Sequence, residues 1–239
     1  MTDTKPTIAV IGGTGDLGTG LSRRWAKAGY PLIIGSRTAD KAQTAAADLA
    51  AHATGPKPRG MTNADAATAG DVVVLTVPFG SAPATLDEIK AGCQGKLVVD
   101  TTVPLMPPRV ARVQLPPEGS AAVAAQMRLG DGVRVISAFH NVAAHKLQVV
   151  DMALDCDVLV FGDKAEDREV AIKLAEACGV RGLHAGPLVN SAAAEALTSI
   201  IIGINRTYKA DGASIRITGV AGSTPGASGA DLQPRNPKS

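Results

Sequence analysis

The sequence predicts an α/β protein: an N-terminal, doubly wound parallel sheet, a smaller C-terminal α/β extension and one long helix. Three observations predict it. From residue 7 to residue 100, short apolar runs alternate with longer amphipathic or alanine-rich segments, the pattern of strands joined by crossover helices. The run at residues 71–77 is almost continuously apolar, as a parallel strand covered on both faces requires. And Gly13-x-Gly15-x-x-Gly18 falls between an apolar run and an amphipathic segment, where a strand must turn sharply into a helix.

The elements follow in order. Residues 7–11 are the first strand and residues 17–28 the first helix, which stops at Gly29. Residues 31–35 are the second strand, and 39–52 a helix closed by Gly55-Pro56. Residues 57–61 read as a short edge strand, since Pro58 cannot donate a ladder hydrogen bond. A helical turn at 65–70, the strand at 71–77, a helix from Gly80 to about residue 91 and a strand at 96–100 come next. Pro107, Pro108, Pro116 and Pro117, with Pro104 at the edge, make residues 105–119 an extended surface loop. Residues 120–129 are helical and 133–137 a strand; 156–161, 165–178 and 181–185 form a further strand–helix–strand crossover. The long helix spans 191–208, and 215–218 is read as a last edge strand. The Gly, Ser, Pro and Ala-rich end predicts a disordered tail. The domain reading is a nucleotide-binding domain at 1–139, a smaller region at 140–218 completing the site, and a tail at 219–239.

Composition narrows the function. A formal net charge of +2 and the lack of a long basic run argue against nucleic acid. Aromatic residues are only 3% of the chain, so any ring-binding site must be walled by aliphatic side chains and backbone. Cys93, Cys156 and Cys178 are odd in number and widely spaced, which suggests reduced thiols in a cytoplasmic protein, with neither a disulfide frame nor a zinc site. The N-terminus lacks the shape of a signal peptide. The uninterrupted apolar stretch around residues 200–204 is too short to span a bilayer.

The glycine loop is a dinucleotide fingerprint with a physical reading. Gly13 permits the tight turn, Gly15 lets backbone approach a pyrophosphate, and Gly18 allows close helix–strand packing. The helix N-terminus offers free N–H groups and a positive dipole end to the phosphates. The second strand ends in Gly35-Ser36-Arg37, with Lys41 one helical turn later. NAD-type sites place a carboxylate there; cations and a hydroxyl instead attract a 2′-phosphate. The cofactor predicted is NADP(H), held in a Rossmann-like domain.

Acid–base machinery is scarce. No Tyr-x-x-x-Lys motif follows Tyr30 or Tyr208, and His52, His140, His145 and His184 form no metal-binding spacing. His140, at a strand end, is the one candidate general acid; its alternative is a histidine that only hydrogen-bonds a ligand or backbone. Asp100, also at a strand end, reads as structural. A dinucleotide site without a proton-transfer dyad suits a partner that needs only a hydride, such as a second redox cofactor.

The residues carrying this pattern resemble the NADPH:coenzyme F420 oxidoreductases (F420-dependent NADP reductases). The resemblance runs through Ile11-Gly-Gly-Thr-Gly-Asp-Leu-Gly18, Gly35-Ser-Arg37 with Lys41, Val74-Leu-Thr-Val-Pro78, Ser137-Ala-Phe-His140 and Ala185-Gly-Pro-Leu188 followed by Asn190-Ser191. It implies direct hydride transfer between NADP(H) and the 8-hydroxy-5-deazaflavin coenzyme F420, with no catalytic side chain. By position, Thr14, Gly15, Asp16, Leu17, Ser36, Arg37 and Lys41 would hold the adenine end of NADP. Phe79 and Pro83 would line its middle, and Val103 and Pro104 would support the nicotinamide. His140, Asn141, Val142 and Ala143 would border the deazaflavin, with Ala213 nearby. Arg206 and Lys209 would either meet the coenzyme's acidic tail or simply complement the helix dipole. The family often has Trp at the position of Phe79, and Ser-Pro-Leu-Val-Pro where this chain has Asp100-Thr-Thr-Val-Pro104. A homodimer through the long helix is expected. The other readings are an NADP-dependent reductase of a small carbonyl or imine, and a non-catalytic NADP-binding redox sensor. A related domain occurs in membrane-bound metalloreductases, fused to a transmembrane haem domain for which this sequence shows no segment.

Overall fold

The computed structural model describes residues 5–220; the expected tail at 219–239 lies outside them beyond Val220. The N-terminal region runs β1 (Ile8–Ile11), α1 (Asp16–Lys27), β2 (Leu32–Ser36), α2 (Ala39–Leu49), β3 (Arg59–Thr62), α3 (Asn63–Ala69), β4 (Val72–Leu75), α4 (Ala82–Ile89), β5 (Leu97–Asp100), α5 (Ala121–Leu129) and β6 (Arg134–Ser137). All six strands are parallel, in the order β3-β2-β1-β4-β5-β6. The central strand β1 pairs Ile8 with Leu32 on one side and Val72 on the other.

Alternate strand residues feed two cores. Ile8, Val10, Ile34, Val74 and Val99 pack with Leu21 and Trp25 of α1. Ala9, Ile11, Ile33, Val73 and Val98 pack with Ala66, Leu86, Ile89 and Ala122 of α3, α4 and α5. Both faces are covered, so neither can be polar, and the strands read as unbroken apolar runs. Trp25 is fully buried, donates from Nε1 to Leu174 O at 2.8 Å and meets Phe139 edge to face. Truncating such a side chain costs about 3–5 kcal/mol.

The C-terminal region runs α6 (Ala144–Leu147), β7 (Asp157–Val160), α7 (Ala165–Ala177), β8 (Arg181–His184) and α8 (Ser191–Tyr208). Strands β7 and β8 form a separate parallel pair. An isolated antiparallel bridge joins it to the main sheet, with Ser137 and Phe161 exchanging two backbone bonds of 2.9 Å.

Several boundaries differ from expectation for local reasons. The edge strand starts at Arg59, beyond Pro58, and Gly60 lets it touch α2: a Cβ there would lie 2.2 Å from Ala42 C. The second helix loses its α geometry after Leu49 and ends in a 3₁₀ turn at Ala50–His52. The short helix α6 was not expected. Residues 215–218 form no strand; they are a strap held by a backbone bond from Asp157 N to Ile215 O, by the Asp157 carboxylate, and by Arg181 Nη2, which donates to Ile217 O at 2.8 Å. That carboxylate also takes two bonds from Arg181, at 2.8 and 2.6 Å.

Besides the Trp25–Leu174 bond, two further contacts set the C-terminal region against α1 closely. A Cβ on Gly20 would meet Leu147 Cβ at 2.7 Å, so α1 and α6 approach closely. Arg24, 5% exposed, spends its guanidinium on main-chain oxygens of residues 146, 147, 149, 152 and 178. The segment Leu188–Tyr208 is, by length and composition, apolar enough to cross a membrane, contrary to the expectation from residues 200–204 alone. In the fold, its Ser191, Ala194, Glu195 and Ser199 are buried against the α/β body.

Candidate active site

The glycine loop follows β1 at the carboxyl edge of the sheet. Its left-handed residue is Gly12, with φ +72°, and not Gly13, where the sequence reading put the turn. A Cβ on Gly13 would meet Val10 O at 2.9 Å, so Gly13 serves close packing. A Cβ on Gly18 would lie 2.7 Å from Thr76 Oγ1 and 2.8 Å from Gly13 Cα, which is the tight helix–loop contact a fingerprint needs. In front of Gly15, a Cβ would meet only Gly12 O, at 3.6 Å. Gly15 is the N-cap of α1 and has no side chain to occupy the first-turn N–H groups, leaving them for an anion. Thr14 and Asp16 are exposed beside it, and Leu17 turns inward onto the core.

A groove of about 530 Å³ runs from this loop to the end of β2. Of the residues named from the sequence for the adenine end, Thr14, Gly15, Ser36, Arg37 and Lys41 line it and Asp16 and Leu17 do not. Arg37 and Lys41 are exposed and Ser36 is buried at the strand end. Two cations, a hydroxyl and a free helix N-terminus fit a dinucleotide bearing a 2′-phosphate. Asn63 was not anticipated. It is 1% exposed, lines the same groove and accepts from Gly12 N at 3.4 Å, which ties β3 to the glycine loop. No motif marks it; it is merely the first residue after the edge strand.

The ends of β4 and β5 carry the next candidates. Phe79 and Pro83 flank the start of α4 on the side away from the groove, lining a second cavity. Val103 is half-buried and Pro104 buried. Thr101 Oγ1 donates to Leu75 O at 2.8 Å, fixing the end of β5 to β4.

After β6 the chain reverses at Phe139, which adopts φ +67° although it is not glycine. That turn folds His140 back, so that its Nε2 lies 2.8 Å from Ser137 Oγ. His140 is 7% exposed, and burial pulls its pKa down to about 4. At neutral pH it carries no charge and is a poor proton donor. Asn141 Nδ2 donates to Ala194 O at 3.1 Å and to Thr198 Oγ1 at 2.9 Å; Thr198 Oγ1 in turn donates to His140 O at 3.2 Å. Val142 and Ala143 are half-buried, and Gly212 lies so close that a Cβ there would be 2.7 Å from Ala143 Cβ. Ala213 N donates to Asn205 Oδ1 at 2.8 Å, which ties Ala213 to α8; its neighbours Gly212 and Ser214 are the residues that meet the loop, at Ala143 and at Asn141 O. Arg206 and Lys209 are exposed at the end of α8.

The polar face of α8 was missed by the sequence reading. Glu195, 1% exposed, accepts from Ala121 N at 2.7 Å and Ala122 N at 3.2 Å, capping α5. Ser191 Oγ donates to Ser120 Oγ at 2.9 Å. Ser191, Glu195 and Thr198 recur at helical spacing on one side of an apolar helix, a signal that was present. Burial raises the Glu195 pKa to about 7, against the two N–H groups that lower it. Asp100 is raised too, by burial in first place. Cys93, Cys156 and Cys178 are all free and buried, and desolvation raises each thiol. Among the described residues no cluster of metal-ligating side chains occurs.

Comparison with known proteins points one way. Residues 7–104 match the family model described as NADP oxidoreductase coenzyme F420-dependent. The F420-dependent NADP reductase of Methanocaldococcus jannaschii is 41% identical over 219 residues, covering 88% of this chain and 97% of the relative. That of Methanothermobacter thermautotrophicus is 43% identical over 219 residues, covering 88% and 94%. A crystal structure from Arthrobacter sp. FB24, provisionally named an F420-dependent NADP reductase, shares the fold with a TM-score of 0.72 at 24% identity, covering 89% of this chain and 99% of that one.

Proposed function

The chain belongs to the family of F420-dependent NADP reductases, and from that premise we propose that it is an oxidoreductase passing a hydride directly between NADP(H) and coenzyme F420. The observation that carries the reading is 41–43% identity to three such reductases over nearly their whole length. When bound, the two cofactors supply the redox chemistry themselves, one ring giving and the other accepting the hydride. The protein's part is to bind, orient and exclude water.

Ser36, Arg37 and Lys41 select the 2′-phosphate, and Thr14 with the first turn of α1 takes the pyrophosphate. Val103 and Pro104 back the nicotinamide. The loop His140–Ala143 and Ala213 form the wall for the deazaflavin. Support for a wall without proton transfer comes from His140, which is buried and neutral. The protein acts as a cytoplasmic homodimer. Ile200, Ile204 and Tyr208 are 50%, 40% and 77% exposed and lie four residues apart on one face of α8, a stripe suited to a second copy of the same helix.

The test is direct. Purified protein is mixed with NADPH and oxidised F420, and loss of the deazaflavin absorbance is followed. Turnover with NADPH and little with NADH is expected. NADPH binding without deazaflavin reduction would sink the reading and redirect the search to carbonyl and imine substrates.

A further inference from the structure

A second cavity, of about 270 Å³, opens between α4 and α5 at the carboxyl end of β5. Its walls are apolar, from Phe79, Leu86, Pro117, Ala121 and Ala125. Four polar residues also line it: Glu118 and Arg128, both exposed, and Asp100 and Thr102, only 1% and 3% exposed. Thr102 Oγ1 is fully buried and makes no hydrogen bond. It lies near enough to the Asp100 carboxyl to favour its charge, yet outside hydrogen-bonding geometry. Asp100 Oδ1 accepts from Thr102 N at 2.8 Å.

A buried hydroxyl without a partner is destabilising, and such groups in native proteins call for an explanation. Here the hydroxyl sits among apolar walls on the ligand side of a parallel sheet. A charged group does not suit the buried end, since the Arg128 guanidinium is already held by both oxygens of Asp87, at 2.7 and 2.6 Å. Asp100 and Glu195 are close enough to raise the Glu195 pKa, so another anion would be repelled. The Glu195 carboxylate is already taken up by the N–H groups of Ala121 and Ala122. What fits is a neutral, planar group with a carbonyl next to an N–H. Thr102 donates to the carbonyl, and the free lone pairs of Asp100 accept from the N–H.

We propose that Asp100 and Thr102 form a recognition site for the amide edge of a redox-cofactor ring. The identity of the rings rests on the functional reading above. The two substrates present this chemistry in two forms, the carboxamide of the nicotinamide and the cyclic imide of the deazaflavin, and the experiment separates them.

Fluorescence titration gives the dissociation constants of NADPH and of F420 independently, without turnover. Wild type, Thr102→Val and Asp100→Asn are compared. Thr102→Val keeps the shape of the side chain and deletes the unsatisfied hydroxyl, so its melting temperature should hold or rise. Its affinity for one of the two ligands should fall by about five- to tenfold, the scale of one neutral hydrogen bond, with the other unchanged. Loss for NADPH identifies the carboxamide; loss for F420 identifies the imide. Asp100→Asn should weaken the same ligand. If wild type binds both ligands and neither variant weakens either, the site assignment is overturned while the functional reading stands. If wild type binds NADPH but not F420, the functional reading fails, and the site is judged on the NADPH arm alone.

Discussion

Asn141, on the loop after β6, donates to Thr198 of α8 at 2.9 Å, and Thr198 returns a bond of 3.2 Å to the neighbouring carbonyl of His140. One hydroxyl on the last helix therefore fixes both the side chain and the backbone of the loop assigned to the deazaflavin. Thr198→Val leaves the Asn141 amide short of an acceptor. The expected loss is about 1–3 kcal/mol of stability, with a raised KM for F420 and an almost unchanged KM for NADPH. Thermal unfolding and steady-state kinetics check this; a matching rise in both KM values would show that the loop does not belong to one substrate.

Arg37 and Lys41 are exposed beside the buried Ser36 hydroxyl. Arg37→Asp replaces an attraction for a 2′-phosphate by a repulsion. The KM for NADPH should rise on the order of ten- to a hundredfold, the range of a lost charge-assisted hydrogen bond, and that for NADH should change little. Equal effects on the two nucleotides would refute the 2′-phosphate assignment.

Glu195 and His140 shift in opposite senses within one pH window. Burial raises Glu195 from 4.5 to about 7, so between those values the folded form keeps a proton that the unfolded chain has lost. Its contribution to stability falls as pH rises through the window. Burial lowers His140 from 6.5 to about 4, so the unfolded chain gains its proton first, and stability falls as pH drops. Each displacement corresponds to roughly 3 kcal/mol, and the two largely cancel. Relative to wild type, Glu195→Gln should lose stability on acidification from pH 6.5 to 4. His140→Gln should lose it on raising pH from 4.5 to 7. Denaturant midpoints measured across that range decide the point; parallel curves for all three proteins would contradict it.

The exposed stripe on α8 leads to an assembly prediction. Ile204→Asp places a charge in an apolar contact that would be formed with a second copy. Sedimentation should show a dimer for the wild type and a monomer for the variant, with the monomer's melting temperature lowered. A wild type that sediments as a monomer rules the contact out.

Most of the sheet was legible because burial on two faces leaves a local record. The runs at β1, β2, β4 and β5 could only be central parallel strands, and the glycine spacing located the helix start. Ser36, Arg37 and Lys41 were legible for the same reason, since their place follows from one strand end. Legibility ended where position depends on distant partners. Asn63 gains its place only when β3 pairs with β2 and meets Gly12, 51 residues earlier. Glu195 caps a helix 74 residues away. Residues 215–218 alternate like a strand, yet the strap is anchored mainly through the Asp157 and Arg181 side chains, so its pattern promised a ladder that does not form. In the glycine loop the motif was correct and its division of labour was not, because a positive φ belongs to Gly12.

The hydrogen bonds that fix the backbone of His140 and Asn141 and the Asn141 amide come from late in the chain: the Ala194 carbonyl and the Thr198 hydroxyl of α8, and the Ser214 hydroxyl. During synthesis, N-terminal segments fold before these residues exist. The residues lining the groove, which end at Thr85, are thus all made well before those that shape the opposite wall. More than a hundred residues of translation separate Thr85 from Thr198, so the two sides of the site meet only once α8 has been made.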